Sequence, residues 1–271
     1  MSPPEGGDTG AVLSDAQAQV FDRSGIVKLD QAFDPDSATA MRDVVWAELR
    51  RRHGIERADP ATWDRHLPTG LRTSKRSRVF EPILSVAVCA ALDRLLGESR
   101  WLSPKHFGNV LVTMPNSTEY RVPHRIWHSD FPPTLPTDRL SVVKLWALFD
   151  EVAPGGAGTP QLSGSHRLFA QYVAATRETD YKRAKFGFLR SHPWLRALTV
   201  DDGDPRRNAI FMDEGIVIDG VEVRVVECTG SAGDVFITHP WVFHSIADNA
   251  TERPRFMRSA AIWAGAAATV G

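Results

Sequence analysis

The 271-residue chain has little of what marks several large protein classes. Its two cysteines, Cys89 and Cys228, stand far apart and in no Cys-x-x-Cys pair, which argues against a disulfide scaffold and a structural zinc site. No apolar run comes near the roughly 18 residues a membrane helix needs, so no membrane partner is expected. No sign of charge dominates: 32 Lys and Arg meet 33 Asp and Glu for a net −1, and nucleic acid is not an expected partner. Residues 1–10 lack the basic flank and apolar stretch of a secretory signal and are expected to form a flexible tail. The rest, 11–271, is expected to be one domain, because 42% hydrophobic and 24% charged residues is ordinary globular usage, and the cysteine pattern makes the cytoplasm its expected location.

What is present begins as helix. Ser14 with Gln17 has the spacing of a capping box, and Gly25 is placed to stop that helix. A short strand over Ile26–Leu29 follows. Asp34-Pro35 opens a second helix with the apolar stripe Met41, Val45 and Leu49, basic Arg50 to Arg52 in its last turn, and Gly54 as its end. A third helix is expected after Pro82, where Leu84, Val88, Ala91, Leu92 and Leu95 share one face and Gly97 closes it.

Beyond about residue 105 the pattern becomes short apolar or alternating runs between turns. Val110 to Met114, Leu140 to Phe149, Ala209 to Met212, Val235 to Thr238 and Arg255 to Trp263 read as strands. Asp219-Gly220 between Ile216–Ile218 and Val221–Val223 is a type I′ hairpin signal. Phe169 to Phe186 reads as helix. The expected fold class is α+β, with a double-stranded β-helix (jelly-roll or cupin-like) core flanked by the N-terminal helices.

The chemistry starts at Trp127-His128-Ser129-Asp130. On a strand, His128 and Asp130 would point to one face. Far downstream, Gly233-Asp234 precedes His239 and His244, and Arg255 follows 11 residues after His244. A close His/Asp pair plus a distant His makes a 2-His-1-carboxylate set, which occupies one face of a six-coordinate ion and leaves the other open, the arrangement non-heme Fe(II) oxygenases need. His124, His166 and His239 sit beside Pro or Gly/Ser turns and are read as local packing residues, and Asp234 as a turn former.

In this ordered set the chain resembles the phytanoyl-CoA dioxygenase family of Fe(II)/2-oxoglutarate-dependent oxygenases. The resemblance rests on the helix-strand-helix pattern from Leu13 to Leu49 and on His128-x-Asp130. It also rests on Pro154-Gly155-Gly156 through Ser163-Gly164-Ser165-His166-Arg167, on Gly233-Asp234, and on His244 with Arg255. It implies that His128, Asp130 and His244 ligate Fe(II), that Arg255 pairs with the distal carboxylate of 2-oxoglutarate, and that Trp146 lines the co-substrate pocket. O2 is the further co-substrate, and a C–H bond of a small molecule, in bacterial natural-product biosynthesis, is the expected target. Two residues past His244, where relatives often carry a hydroxyl, stands Ile246; Ser245 is one residue off, and Thr113 is another candidate. Arg72 and Lys75 are candidates for an upstream basic contact.

Residues 50–78 hold nine basic side chains (Arg50, Arg51, Arg52, Arg57, Arg65, Arg72, Lys75, Arg76 and Arg78) against Glu56, Asp59 and Asp64, in a stretch that reads as loop. A basic cleft there would favour an anionic substrate. Two other classes compete: a cupin-type metal enzyme that does not use 2-oxoglutarate, which would not need Arg255, and a non-catalytic ligand-binding barrel.

Overall fold

The structure, a computed structural model, describes residues 13–64 and 67–265. The expected tail over residues 1–10 lies outside them. Helices α1 (Asp15–Ser24), α2 (Pro35–His53) and α4 (Val86–Leu96) occupy the front third, with strand β1 (Ile26–Leu29) between α1 and α2. The caps act as the sequence indicates. Ser14 and Gln17 bond reciprocally, Asp34 accepts from Ser37 N–H ahead of Pro35, and Gly25 and Gly54 end their helices at φ 76° and 68°. Gly25 also has no room for a side chain, because His166 and Val242 press against its Cα. The basic stretch is more ordered than its Pro and Gly content suggests: it contains the short helix α3 (Arg72–Arg76).

Two antiparallel sheets form the double-stranded β-helix core. One has five strands, ordered β1, β7 (Val235–Thr238), β3 (Val142–Leu148), β9 (Arg255–Trp263) and β2 (Asn109–Thr113). The other has four, ordered β5 (Ile216–Ile218), β6 (Val221–Glu227), β4 (Pro160–Ser163) and β8 (Phe243–His244). Strand alternation divides the apolar residues between layers. On β3, Val143, Leu145 and Ala147 pack outward with Met41, Val45 and Leu49 of α2 and Val88 and Leu92 of α4. Trp146 and Leu148 turn inward, joining Cys228, Val242 and Met257 between the sheets. The four-stranded sheet is covered by α5 (Ser165–Thr176), α6 (Tyr181–Arg190) and α7 (Pro193–Leu198), through Leu162, Val223 and Phe243 against Phe169, Phe188 and Leu195.

The hairpin forms as expected, with Asp219 and Gly220 both at positive φ, 46° and 75°. Two expectations fail. Ala209–Glu214 is a π-helical turn rather than a strand; Phe211 is buried there and Arg207 beside it is tied to five carbonyls, so the segment packs as a plug. The segment holding His128 and Asp130 is not a strand either: only His128 makes a ladder contact, an isolated bridge to His244. Strand β4 lies inside the Gly-rich stretch that gave no strand signal.

Candidate metal centre

The His128 segment is irregular and is held by side chains bonded to its backbone. The Arg207 guanidinium donates to Val122 O and Pro123 O, Trp127 Nε1 donates to Pro123 O, and the Tyr181 hydroxyl donates to Ser129 O. Trp241 Nε1 donates to Pro132 O just downstream. These contacts place His128 beside β8, where His128 N–H donates to His244 O at 3.0 Å and His244 N–H to His128 O at 2.8 Å.

The side chains of that pair converge with Asp130. One ligand atom from each of His128, Asp130 and His244 lies within 4.8 Å of the others, and among the described residues no other group of three His, Cys, Asp or Glu side chains does this. His128 Nε2 and His244 Nε2 are each 3.5 Å from an Asp130 carboxylate oxygen. Each imidazole uses its far nitrogen on a carbonyl: His128 Nδ1 on Ile126 O at 2.8 Å and His244 Nδ1 on Val242 O at 3.2 Å. A carbonyl only accepts, so both protons sit on Nδ1 and both Nε2 lone pairs face the centre. Burial drives both histidines below the ordinary imidazole range, reinforced by the Lys144 charge. Both rings are therefore neutral, as metal ligands must be. Two neutral nitrogens and one carboxylate oxygen fit an Fe(II) ion.

The triad opens on a cavity of about 580 Å³. Arg255, Trp146, Lys144, Thr159, Arg72 and Lys75 line it, and Asp130 is the one acid among the described lining residues. Trp146 is 2% exposed, packs edge-on against the His244 ring at 5.0 Å and donates from Nε1 to Thr238 Oγ1. It is at once a core residue and a cavity wall. Arg255 is buried; its guanidinium contacts Thr113 Oγ1, opposite it in register, and Thr159 Oγ1 at 3.3 Å, while its Nε has no partner among the described residues. Desolvation lowers it to about 10, which still leaves it a cation. A buried arginine with an unfilled donor fits the distal carboxylate of a dicarboxylic acid.

The structure separates the remaining candidates. Ser245 and Ile246 both border the cavity, but the Ser245 hydroxyl is engaged in donating to Arg125 O, and Ile246, 46% exposed, offers no hydroxyl. Thr113 takes the contact with Arg255 that Ser245 cannot. His124 lies near Asp201, and the His166 and His239 rings pack against each other, tilted by 42° with centroids 4.8 Å apart, so none of the three joins the triad. Asp234 braces its turn by accepting from Gln31 and Ser231 and pairing with Lys28. Of the basic stretch, Arg50, Arg51, Arg57 and Arg78 are paired with Glu56, Glu48, Asp43 and Glu81, and among its described residues only Arg72 and Lys75 reach the cavity.

Three site residues escaped the sequence reading. Lys144 contacts Asp130 Oδ2 and lies over the Trp146 ring at 4.3 Å. Its signal was available: a lone ammonium within the apolar run Val142–Leu148 needs a buried partner. Thr159 was lost with β4. Glu227, close to Arg255, accepts from Gly155 N–H and Gly158 N–H and so fixes the Gly-rich turn; burial pushes its carboxyl up to about 7 against those bonds and the Arg255 charge.

The sequence matches the profile of the phytanoyl-CoA dioxygenase (PhyH) family over residues 21–257. The chain belongs to the phytanoyl-CoA dioxygenase family. It is accordingly a non-heme Fe(II)/2-oxoglutarate-dependent oxygenase by class. No curated protein matches significantly. Solved structures share the fold. They include the α-ketoglutarate-dependent carbocyclase SnoK from nogalamycin biosynthesis, at 18% identity and TM-score 0.54, covering 96% of this chain and 87% of SnoK. HygX from Streptomyces hygroscopicus, solved with nickel and 2-oxoglutarate bound, gives 15% identity and TM-score 0.52, covering 94% of this chain and 88% of its own. AviO1 from Streptomyces viridochromogenes Tue57 gives 16% and 0.53, covering 95% and 97%. Among the described residues, no helix of this chain is long and apolar enough to cross a membrane.

Proposed function

We propose that the protein holds Fe(II) on His128, Asp130 and His244, anchors 2-oxoglutarate on Arg255 with Thr113 and Thr159 beside it, and oxidises a C–H bond of an anionic small molecule. The observation that carries this reading is the convergence of two Nε2 lone pairs and a carboxylate next to a cavity that also holds a buried, incompletely bonded arginine. When bound, iron supplies with O2 the oxidising power released as 2-oxoglutarate is converted to succinate and CO2. The chain's own residues do the rest. The carbonyls of Ile126 and Val242 hold the two imidazoles in the ligating tautomer, and Trp146 packed against His244 keeps water from the inner side. Arg255 fixes one end of the co-substrate and thereby its orientation.

The anionic character follows from the cavity's charge. Arg72, Lys75 and Lys144 face a single acid that is itself a proposed ligand, and the co-substrate's distal carboxylate is met by Arg255. That leaves cations without an anion unless the substrate brings one. SnoK, which belongs to nogalamycin biosynthesis, supports a natural-product substrate by likeness, and HygX, solved with 2-oxoglutarate bound, supports the co-substrate.

Anaerobic addition of Fe(II) and then 2-oxoglutarate tests the core of the reading. A weak visible charge-transfer band that needs both is expected; no band would favour a metal enzyme of another type. Carboxylated or phosphorylated candidates against neutral analogues, at low and high salt and in an Arg72→Ala/Lys75→Ala protein, test the substrate class. Equal turnover of charged and neutral forms under all conditions would refute it.

A further inference from the structure

Gln161 is 0% exposed, and neither its amide oxygen nor its amide nitrogen has a hydrogen-bond partner among the described residues. Almost all buried side-chain amides are bonded, and the chain offers this one only the Cys228 thiol, a weak partner, among the described residues; so under-satisfied an amide points to a group that arrives from outside the chain. Its position narrows what that group is. Gln161 pairs directly with His244 across β4 and β8. Leu162, its neighbour, packs outward with Phe169 and Phe188, so Gln161 faces the barrel interior, beside Cys228. Two residues back on the same face, Thr159 touches the Arg255 guanidinium.

One face of β4 therefore runs from the Arg255 end of the site to the level of His244. Two residues of strand span about 7 Å, a length a five-carbon dicarboxylate matches. We infer that Gln161 is a positioning residue for the co-substrate: its amide donates to the metal-side end of 2-oxoglutarate while Arg255 takes the other. This rests on the proposed oxygenase reading. It also accounts for the absence of a hydroxyl two residues after His244, where Ile246 stands. The amide supplies, from the adjacent strand, a polar contact that the β8 side of the site lacks. A carboxylate at position 161 would repel the same ligand, whereas the neutral amide offers both a donor and an acceptor at no charge cost.

The test compares Gln161→Leu and Gln161→Glu with the native protein. It uses calorimetric titration of 2-oxoglutarate into the Ni(II)-loaded proteins, with thermal unfolding with and without 2-oxoglutarate. Gln161→Leu is expected to bind 2-oxoglutarate at least tenfold more weakly, with Ni(II) affinity unchanged, and Gln161→Glu more weakly still. Without ligand, Gln161→Leu is expected to melt at or above the native temperature, since an unmatched amide has left an apolar layer; its upward shift on adding 2-oxoglutarate should be smaller than native. A purely structural amide, bonded to the Cys228 thiol or a trapped water, gives the opposite pattern: a lower melting temperature and an unchanged ligand shift. That result, or native-like 2-oxoglutarate affinity in both variants, overturns the inference. Failure of the native protein itself to bind 2-oxoglutarate would overturn the oxygenase reading, and the inference with it.

Discussion

Arg255 and Arg258 leave the same strand in opposite directions, one into the cavity and one into the helical layer. Arg258 is 1% exposed; its guanidinium donates to the carbonyls of Phe107, Ser74 and Lys75 and lies over the Phe80 ring at 3.8 Å. It thus ties α3, which carries Arg72 and Lys75, to the five-stranded sheet.

The two arginines should fail differently. Arg255→Leu is expected to raise the 2-oxoglutarate dissociation constant by roughly 10- to 100-fold, the worth of a charged hydrogen bond at about 1.5–3 kcal/mol, with the midpoint of urea unfolding little changed. Arg258→Met is expected to lower stability by about 2–4 kcal/mol, because three carbonyls lose their donor, and to leave 2-oxoglutarate affinity within a few-fold. Calorimetric titration and urea unfolding of both variants check this; loss of co-substrate affinity in Arg258→Met alone would reverse the assignment.

Changing His244 to Ala should abolish tight iron binding and turnover while circular dichroism stays native, since the β4–β8 and bridge contacts are made by the backbone. Metal analysis after gel filtration reads the outcome. Retention of stoichiometric iron would redirect attention to His239, although its ring lies with His166 rather than at the triad.

Ile126 has φ 62°, a conformation that costs a β-branched residue about 1–3 kcal/mol. The strained turn aims its carbonyl at His128 Nδ1. Ile126→Gly should relieve the strain and, after the entropy glycine adds to the unfolded chain, gain about 1 kcal/mol in chemical unfolding. Iron affinity is expected to fall at the same time, because the carbonyl is no longer fixed. A variant that is less stable would mean the turn carries no strain.

Acid should destabilise the protein through two histidines remote from the metal. Burial lowers His166 to about 4 and His239 to about 3. The unfolded chain takes up these protons first, near 6.5, so the stabilisation is complete above pH 6.5. It is lost as pH falls from 6.5 to about 4 for His166 and to about 3 for His239. Urea midpoints at pH 7, 5.5 and 4.5 should decline. The decline should be shallower in His239→Asn, whose side-chain oxygen can still accept from Trp241 N–H. An identical slope would exclude His239 as a source.

Much of this site was legible because its parts obey local rules. The caps at Ser14 and Asp34, the Asp219-Gly220 hairpin and the bounds of β9 follow from residue type and spacing. The set His128, Asp130 and His244 was legible through the resemblance to the family, whose ordered motifs single out His244 from His239, and the structure brings these three side chains together. What stayed hidden depends on three-dimensional neighbours. Strand β4 carries Pro160 and Gln161 in a four-residue run, too short and too polar for a periodic signal, yet it sets Gln161 opposite His244 and the residue just before it, Thr159, at one end of the site. Residues 209–212 are apolar enough for a strand, but packing around Arg207 makes them a π-helical turn. The charge of residues 50–78 is visible in the sequence; that Arg51 and Arg57 are paired with Glu48 and Asp43 of α2, and Arg78 with Glu81, is not.

Strand β9 lies between β2 and β3, and among the described residues it is the last strand to be synthesised. Until residue 263 has been made, β2 and β3 each present an unpaired edge, and neither arginine layer can form. The sheet therefore assembles by insertion of its latest piece into the middle, a high-contact-order event that leaves two open edges waiting. A nascent or truncated chain ending in the 245–254 turn would be a split sheet prone to pairing with other chains, whereas the finished protein has that seam closed along nine residues.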